Sequence, residues 1–247
     1  MFFAASAPLV EIAGHAGFDF AVLDLEHSAA TSGAALVDML RAADAAGLPV
    51  LVRVPACDAT VIRHAMESGA QGIVVPHVRS RQEAEAAVAC VRFPLQGQRG
   101  YAGASVRATG YGLRVSGAAY KDATDAGAVV LAMAEDDAFF DAADDILSVE
   151  GISGVFFGPA DYAISRGLAI GSAEAGQATS ARAADAVRLA VRHGKVSMGS
   201  AAGVGRESLQ ALVAQGHQLV LAGSDVGLFA DLCRGARQAM DGVRAGH

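Results

Sequence analysis

A chain of 247 residues, 53% hydrophobic, only 18% charged and at a formal net charge of -7, holds enough apolar side chains for a substantial core. The absence of a basic patch argues against a nucleic-acid partner, and no run reaches the roughly 18 apolar residues of a membrane helix. The opening MFFAASAPLVEIAG lacks a cationic lead and carries Glu11, unlike a signal peptide; three scattered cysteines (Cys57, Cys90, Cys233) point to reduced thiols and a cytoplasmic location.

In chain order, β-prone runs are expected at 2–6 (FFAAS), 21–26 (AVLDLE), 50–54 (VLVRV), 72–78 (GIVVPHV), 129–135 (VVLAMAE), 154–161 (GVFFGPAD), 195–201 (KVSMGSA) and 219–225 (LVLAGSD). The runs are continuously apolar rather than alternating, as in parallel strands buried on both faces. Between them lie Ala-rich stretches with helical spacing: 32–46, 58–69, 80–91, 136–148, 180–193 and 206–215. Gly47, Gly69, Gly194 and Gly216 each follow such a stretch and precede a strand, where a glycine closes a helix in the left-handed conformation. One long irregular segment, 93–127, interrupts the rhythm, and a loop of that length is usually a lid or an oligomer contact. Eight strand–helix units in a chain of this size predict an α/β fold, a (β/α)8 TIM barrel, as a single domain over residues 1–247. The rival open sheet would more often carry a Gly-rich turn after its first strand, and none is present.

In such a barrel the C-terminal strand ends carry the chemistry. Here those ends bear Asp24, Glu26 and His27, then Arg53, His77, Glu135 and Asp161. Each has a bland reading: His27 as a structural histidine, Arg53 as the ion-pair partner of Asp24 or Glu26, Asp161 as an N-cap. Any of Glu135, Asp136 and Asp137 could serve only the start of a helix. Together, from at least four strands, they converge on one mouth. Glu135 and Asp161, two carboxylates from neighbouring strands, can bind a hard divalent cation such as Mg²⁺, whereas the close His/Cys spacing of a zinc cage is missing. GSAAGVG (199–205) has no following Walker lysine and reads as a small-residue loop. Lysine occurs only at 121 and 195, neither inside the predicted barrel, so a Schiff-base aldolase has no candidate nucleophile.

These residues, in this order, resemble the metal-dependent pyruvate aldolases typified by 4-hydroxy-2-oxoheptanedioate aldolase and 2-dehydro-3-deoxyglucarate aldolase. GFDFAVLDLEHS, LVRVP, FPLQGQRGYAGASVRATGYG and VEGISGVFFGPADYA are similar to that family's segments, over nearly the whole chain. The resemblance implies a TIM barrel and a divalent metal (Mg²⁺, Mn²⁺ or Co²⁺) on Glu135 and Asp161. It implies His27 as acid/base and Arg53 as stabiliser of the enolate. Substrate contacts would come from Arg53, Met133, Ala160 and Asp161, supported by Asp24, Glu26, Glu67 and His77. The chain departs from the family at Met133, where a Gln is usual, at Glu67 for an Asp, and at His77 for an apolar residue. The implied partners are a small 2-oxo acid and an aldehyde. The implied assembly is a homo-oligomer, by resemblance a hexamer, with a C-terminal helix (about 227–247) packed on a neighbour. Arg99 and Arg107 are candidates for an acidic aldehyde end or for intersubunit pairs. Rival readings are decarboxylation of an oxaloacetate-like acid and non-catalytic binding of a 2-oxo acid.

Overall fold

The computed structural model describes residues 1–28, 33–115, 117–201 and 203–245. The apolar runs become seven parallel strands hydrogen-bonded in sequence order. They are β1 (Ala21–Asp24), β2 (Val50–Arg53), β3 (Gly72–Val75), β4 (Val129–Ala134), β5 (Gly154–Phe157), β6 (Val196–Ser200) and β7 (Leu219–Leu221). The helices are α1 (Ala7–His15), α2 (Gly33–Ala45), α3 (Ala59–Ser68), α4 (Arg81–Val91), α5 (Gly117–Gly127), α6 (Asp137–Asp141), α7 (Ala143–Leu147), α8 (Pro159–Ser165), α9 (Ala173–Arg192), α10 (Arg206–Gln215) and α11 (Asp225–Ala245). Gly47, Gly69, Gly194 and Gly216 all take positive φ where a helix gives way to a strand, as expected. At Gly69 the cap N–H returns to the carbonyls of Ala65 and Met66.

Alternation along the strands divides the core in two. Ala21, Leu23, Val50, Val52, Ile73, Val75, Val130, Ala132, Val155 and Phe157 face the helices and pack into the outer core. Val22, Leu51, Val74, Leu131, Met133, Phe156, Met198 and Leu221 face inward and pack on one another. Burial on both faces is why these strands read as unbroken apolar runs.

The architecture is TIM-barrel-like, but among the described residues seven strands pair in order from β1 to β7 and β7 does not pair with β1, so the expected closed eight-stranded barrel is not formed. The run at 2–6 contributes a single parallel bridge, Phe2 to Leu23. Two features prevent a longer strand. Helix α1 already begins at Ala7, with Pro8 in its first turn. The N–H groups of Phe3 and Ala4, which a ladder would use, go instead to the Asp225 carboxylate at 2.9 and 3.0 Å. Met1 accepts from the Asp225 N–H at 3.1 Å, while Phe2 donates to Val22 at 2.8 Å. The segment Met1–Ala4 thus spans the seam between β1 and the end of β7 with mixed backbone and side-chain hydrogen bonds.

Segment 93–127 is also more ordered than expected: it holds a 3₁₀ turn (Arg107–Thr109) and ends in α5. The stretch 136–148 splits into α6 and α7 at Ala142, and α9 begins well before 180.

Because Asp225 binds two backbone donors across the seam, Asp225→Ala should lower stability by about 2 kcal/mol. Urea unfolding would check this, with amide exchange at Phe3 and Ala4 expected to accelerate; an unchanged midpoint would show that the seam does not depend on that carboxylate.

Candidate active site

The inward parity that buries Val22, Leu51, Leu131 and Met133 brings Asp24, Arg53 and Glu135 inward two residues further on. All three are buried at the C-terminal end of their strands. The Asp24 carboxylate organises this layer. It accepts Arg53 Nε at 2.6 Å, the Glu26 N–H at 3.2 Å and the His27 N–H at 2.9 Å. Arg53 reaches Glu26 Oε2 through Nη1 at 3.0 Å and lies over the Phe3 ring at 5.7 Å. The chain past β1 is therefore folded back on its own last strand residue, which carries His27 to the rim. Its side chain is 60% exposed, with Nε2 at 3.6 Å from Glu26 Oε2.

The Glu26 side chain is mostly enclosed, and this desolvation pushes its carboxyl above the ordinary range despite the opposing pull of Arg53. Its Oε2 makes no aligned hydrogen bond although Arg53 is close. Glu135 is in a similar position. Burial pushes its carboxyl up, the His77 N–H and imidazole pull it down, and the charges of Asp161 and Glu26 push it up again.

The three neighbouring acids at 135–137 separate cleanly. Glu135 continues the inward face of β4. Asp136 caps α6 through the Phe139 N–H at 3.1 Å, and Asp137 accepts from Tyr162 at 2.9 Å and Arg182 at 3.0 Å. Glu135 Oε2 accepts the His77 N–H at 2.8 Å, with His77 Nδ1 at 3.1 Å. His77 adopts φ 53°, a left-handed conformation uncommon outside glycine, and so aims its N–H at that oxygen. On the other side stands Gly158. A Cβ there would lie 2.8 Å from Glu135 Cγ and 3.2 Å from Oε1, so only glycine leaves that oxygen clear.

Asp161 stands half-buried in the first turn of α8, whose N-cap is Gly158, so Asp161 is not itself the cap. Ala160 is exposed in the same turn. Met133 is 2% exposed and packs in the inner apolar cluster, two residues below Glu135. Glu67 lies in the last turn of α3, toward the opposite end of the strands, where its charge acts on Tyr120. Arg99 and Arg107 also lie at that opposite end, beside the residues that lead into β3 and β4, and not in this mouth. Two contributors were missed in the sequence, the His77 backbone and Gly158. The Gly of GPAD was the available signal for the second.

The donor chemistry fits a hard divalent cation. Glu26, Glu135 and Asp161 gather negative charge that Arg53 alone does not balance, and Gly158 leaves Oε1 clear. No group of three or more His, Cys, Asp and Glu among the described residues forms a ligating cluster. That excludes a closed cage there and suits an ion that takes few carboxylates and completes its shell with water and substrate oxygens.

Known proteins similar to this chain share one description. The family profile described as HpcH/HpaI aldolase/citrate lyase matches residues 1–231. A hydroxypyruvate/pyruvate aldolase of Agrobacterium fabrum is 33% identical over 227 residues, covering 91% of this chain and 81% of its own. A 5-keto-4-deoxy-D-glucarate aldolase of Shigella dysenteriae is 34% identical over 223 residues, covering 89% and 82%. The crystal structure of an HpcH/HpaI aldolase/citrate lyase family protein from Burkholderia cenocepacia superposes with a TM-score of 0.84 at 29% identity, covering 98% of this chain and 93% of that one.

Two predictions follow from the electrostatics. Asp24→Ala strands Arg53 in a buried site and should cost about 3–5 kcal/mol by urea unfolding; a loss below about 1 kcal/mol would show the pair to be dispensable. Glu135 has a raised folded-state value, so its contribution to stability is complete below the ordinary carboxylate range and is lost as pH rises through the raised value. Glu135→Gln should therefore melt higher than the parent at pH 7 in EDTA, with the gain shrinking as pH falls toward that ordinary range. A variant that melts lower at pH 7 would contradict this account.

Proposed function

The chain belongs to the HpcH/HpaI aldolase/citrate lyase family, and on that premise we propose that it is a divalent-metal-dependent carbon–carbon lyase. Its reaction is the reversible aldol cleavage of a 4-hydroxy-2-oxo acid to pyruvate, or a related 2-oxo acid, and an aldehyde. The observation that carries this reading is Glu135. It is buried at the mouth, tied through one oxygen to the His77 N–H, clear at the other beside Gly158, and under the charges of Asp161 and Glu26.

Glu135 and Asp161 would hold the cation, with Mg²⁺, Mn²⁺ and Co²⁺ as candidates. When bound, it supplies Lewis-acid polarisation of the carboxylate and ketone oxygens of the 2-oxo acid. Arg53 is fixed through Nε by Asp24 and through Nη1 by Glu26, which leaves Nη2 for substrate oxygen. Its permanent charge offsets the negative charge that the 2-oxo acid gains as the C3–C4 bond breaks. His27 Nε2 takes the proton of the C4 hydroxyl, C4 leaves as the aldehyde carbonyl, the C3–C4 electron pair stays with the 2-oxo acid fragment, and C3 then takes a proton to give pyruvate. In the synthetic direction the same nitrogen returns the proton. Glu26 Oε2 stands 3.6 Å from His27 Nε2, too far for a hydrogen bond, which leaves that nitrogen free to take a proton. Met133 gives the pocket an apolar floor in place of a hydrogen-bonding one.

The assembly in this reading is a homo-oligomer. Helix α11 leaves Phe229, Leu232, Met240 and Val243 exposed along one chain, which supports packing on a neighbour. A cytoplasmic setting is supported by three free cysteines, and no helix among the described residues is long and apolar enough to cross a membrane.

Pyruvate release from a 4-hydroxy-2-oxo acid should stop in EDTA and return with Mg²⁺, Mn²⁺ or Co²⁺. His27→Ala should lower kcat by about 10²–10⁴-fold. Chelator-resistant release, or a full-speed His27→Ala enzyme, would reject the corresponding role; CO₂ in place of an aldehyde would identify a decarboxylase.

A further inference from the structure

Glu135 and Asp161 leave the sheet on separate connections, β4 to α6 and β5 to α8, yet the residues beside them are tied together. Asp137, two residues past Glu135, opens α6. Tyr162, the residue after Asp161, lies in α8 and is 3% exposed. The Tyr162 hydroxyl donates to Asp137 Oδ1 at 2.9 Å. Arg182, from α9, closes a ring of three hydrogen bonds: Nε donates to the Tyr162 hydroxyl at 3.0 Å and Nη2 to Asp137 Oδ1 at 3.0 Å. The other Asp137 oxygen accepts from Arg166, the C-cap of α8. One carboxylate near Glu135 therefore holds α8 both at its middle and at its end.

Helix α8 needs such a hold. It has 7 residues, too few to be stable alone, and its N-cap Gly158 offers no side-chain bond. The packing around the ring is aromatic. Tyr162 meets Phe140 edge-on at 5.9 Å and Phe157 at 5.8 Å, and the Arg182 guanidinium lies 4.6 Å from the Phe140 ring centre. Successive side chains of a helix point about 100° apart. A Tyr162 fixed against α6 and α9 thus fixes the direction in which Asp161 leaves α8.

We propose that Asp137, Tyr162, Arg166 and Arg182 form a positioning clamp, which sets the separation of the Glu135 and Asp161 carboxylates and so the affinity of the mouth for a divalent cation. The proposal rests on the reading of those two groups as the ligands of the cation. The four residues act through the backbone of α6 and α8 and not by contact with the ion.

The test is titration of the full chain with Mn²⁺, followed by loss of the free-ion EPR signal, under conditions where each variant is folded by circular dichroism. Asp161→Asn tests the underlying reading. It should bind far more weakly than the parent; equal binding, or no binding by the parent up to about 1 mM, would overturn that reading and the clamp with it. Tyr162→Phe removes one hydroxyl and no charge, and should raise the Mn²⁺ Kd about 10-fold. Arg182→Met should raise it about fivefold. Loss of a positive charge would by its field alone tighten cation binding, so a weakening there reports lost position. Ser197→Ala removes the buried Ser197–His217 hydrogen bond of 2.9 Å and serves as the control for lost stability; it should bind as the parent does. An impaired Asp161→Asn beside Tyr162→Phe and Arg182→Met proteins within about twofold of the parent would leave the ligands standing and refute the clamp. Should Tyr162→Phe fail to fold, Arg182→Met decides alone. Equal weakening in Ser197→Ala and Tyr162→Phe would also refute it, because general loosening would then account for both.

Discussion

The mouth of this barrel depends on one buried ion pair. Asp24 is the last residue of β1, and its carboxylate binds the Arg53 guanidinium from β2 together with two backbone N–H groups of the chain that follows it. A carboxylate with several charge-assisted donors is stable in a buried setting. The same set of bonds turns the chain sharply enough to bring Glu26 inward and leave His27 at the rim. Without that knot the two strands would still pair, but nothing would determine where the next three side chains go.

The site also sets stability against function. Glu26 and Glu135 are both held above the ordinary carboxylate range, by burial first and only secondarily by neighbours. A fold selected for stability alone would not enclose Glu26 beside an Arg53 already paired with Asp24, nor bury Glu135 with no arginine of its own. The His77 backbone, in a strained conformation, adds a cost of the kind that concentrates at functional sites. In the proposed reading, a cation held by Glu135 and Asp161 would offset part of the cost of burying the Glu135 carboxyl.

Much of this was legible from residues alone. The charged end of AVLDLEHS marked the mouth only together with Arg53, His77, Glu135 and Asp161 at other strand ends, since each alone has a bland reading. Glu135 could not be separated from Asp136 and Asp137 by composition, yet strand parity separates them: Leu131, Met133 and Glu135 share the inward face. What stayed hidden depends on distant contacts. The run at 2–6 looks like a strand, but Asp225, more than two hundred residues away, takes its N–H groups. Arg99 and Arg107, in the long segment, were candidates for an acidic aldehyde end or for intersubunit pairs; segment 93–127 docks them at the end of the strands opposite the mouth. Helix α5 was masked by the glycines that precede it.

Strand parity also constrains how such a chain can vary. Every inward group sits an even number of residues from an apolar neighbour on the same face. Deleting one residue within β4 would swing Glu135 out among the helices and turn a hydrophobic side chain toward the mouth. Loops at either rim carry no such phase. Sequence drift that retunes the choice of aldehyde therefore has more room in the rim loops beyond His27 and Asp161 than in the strands, which tolerate exchange of side chains but not a change of count.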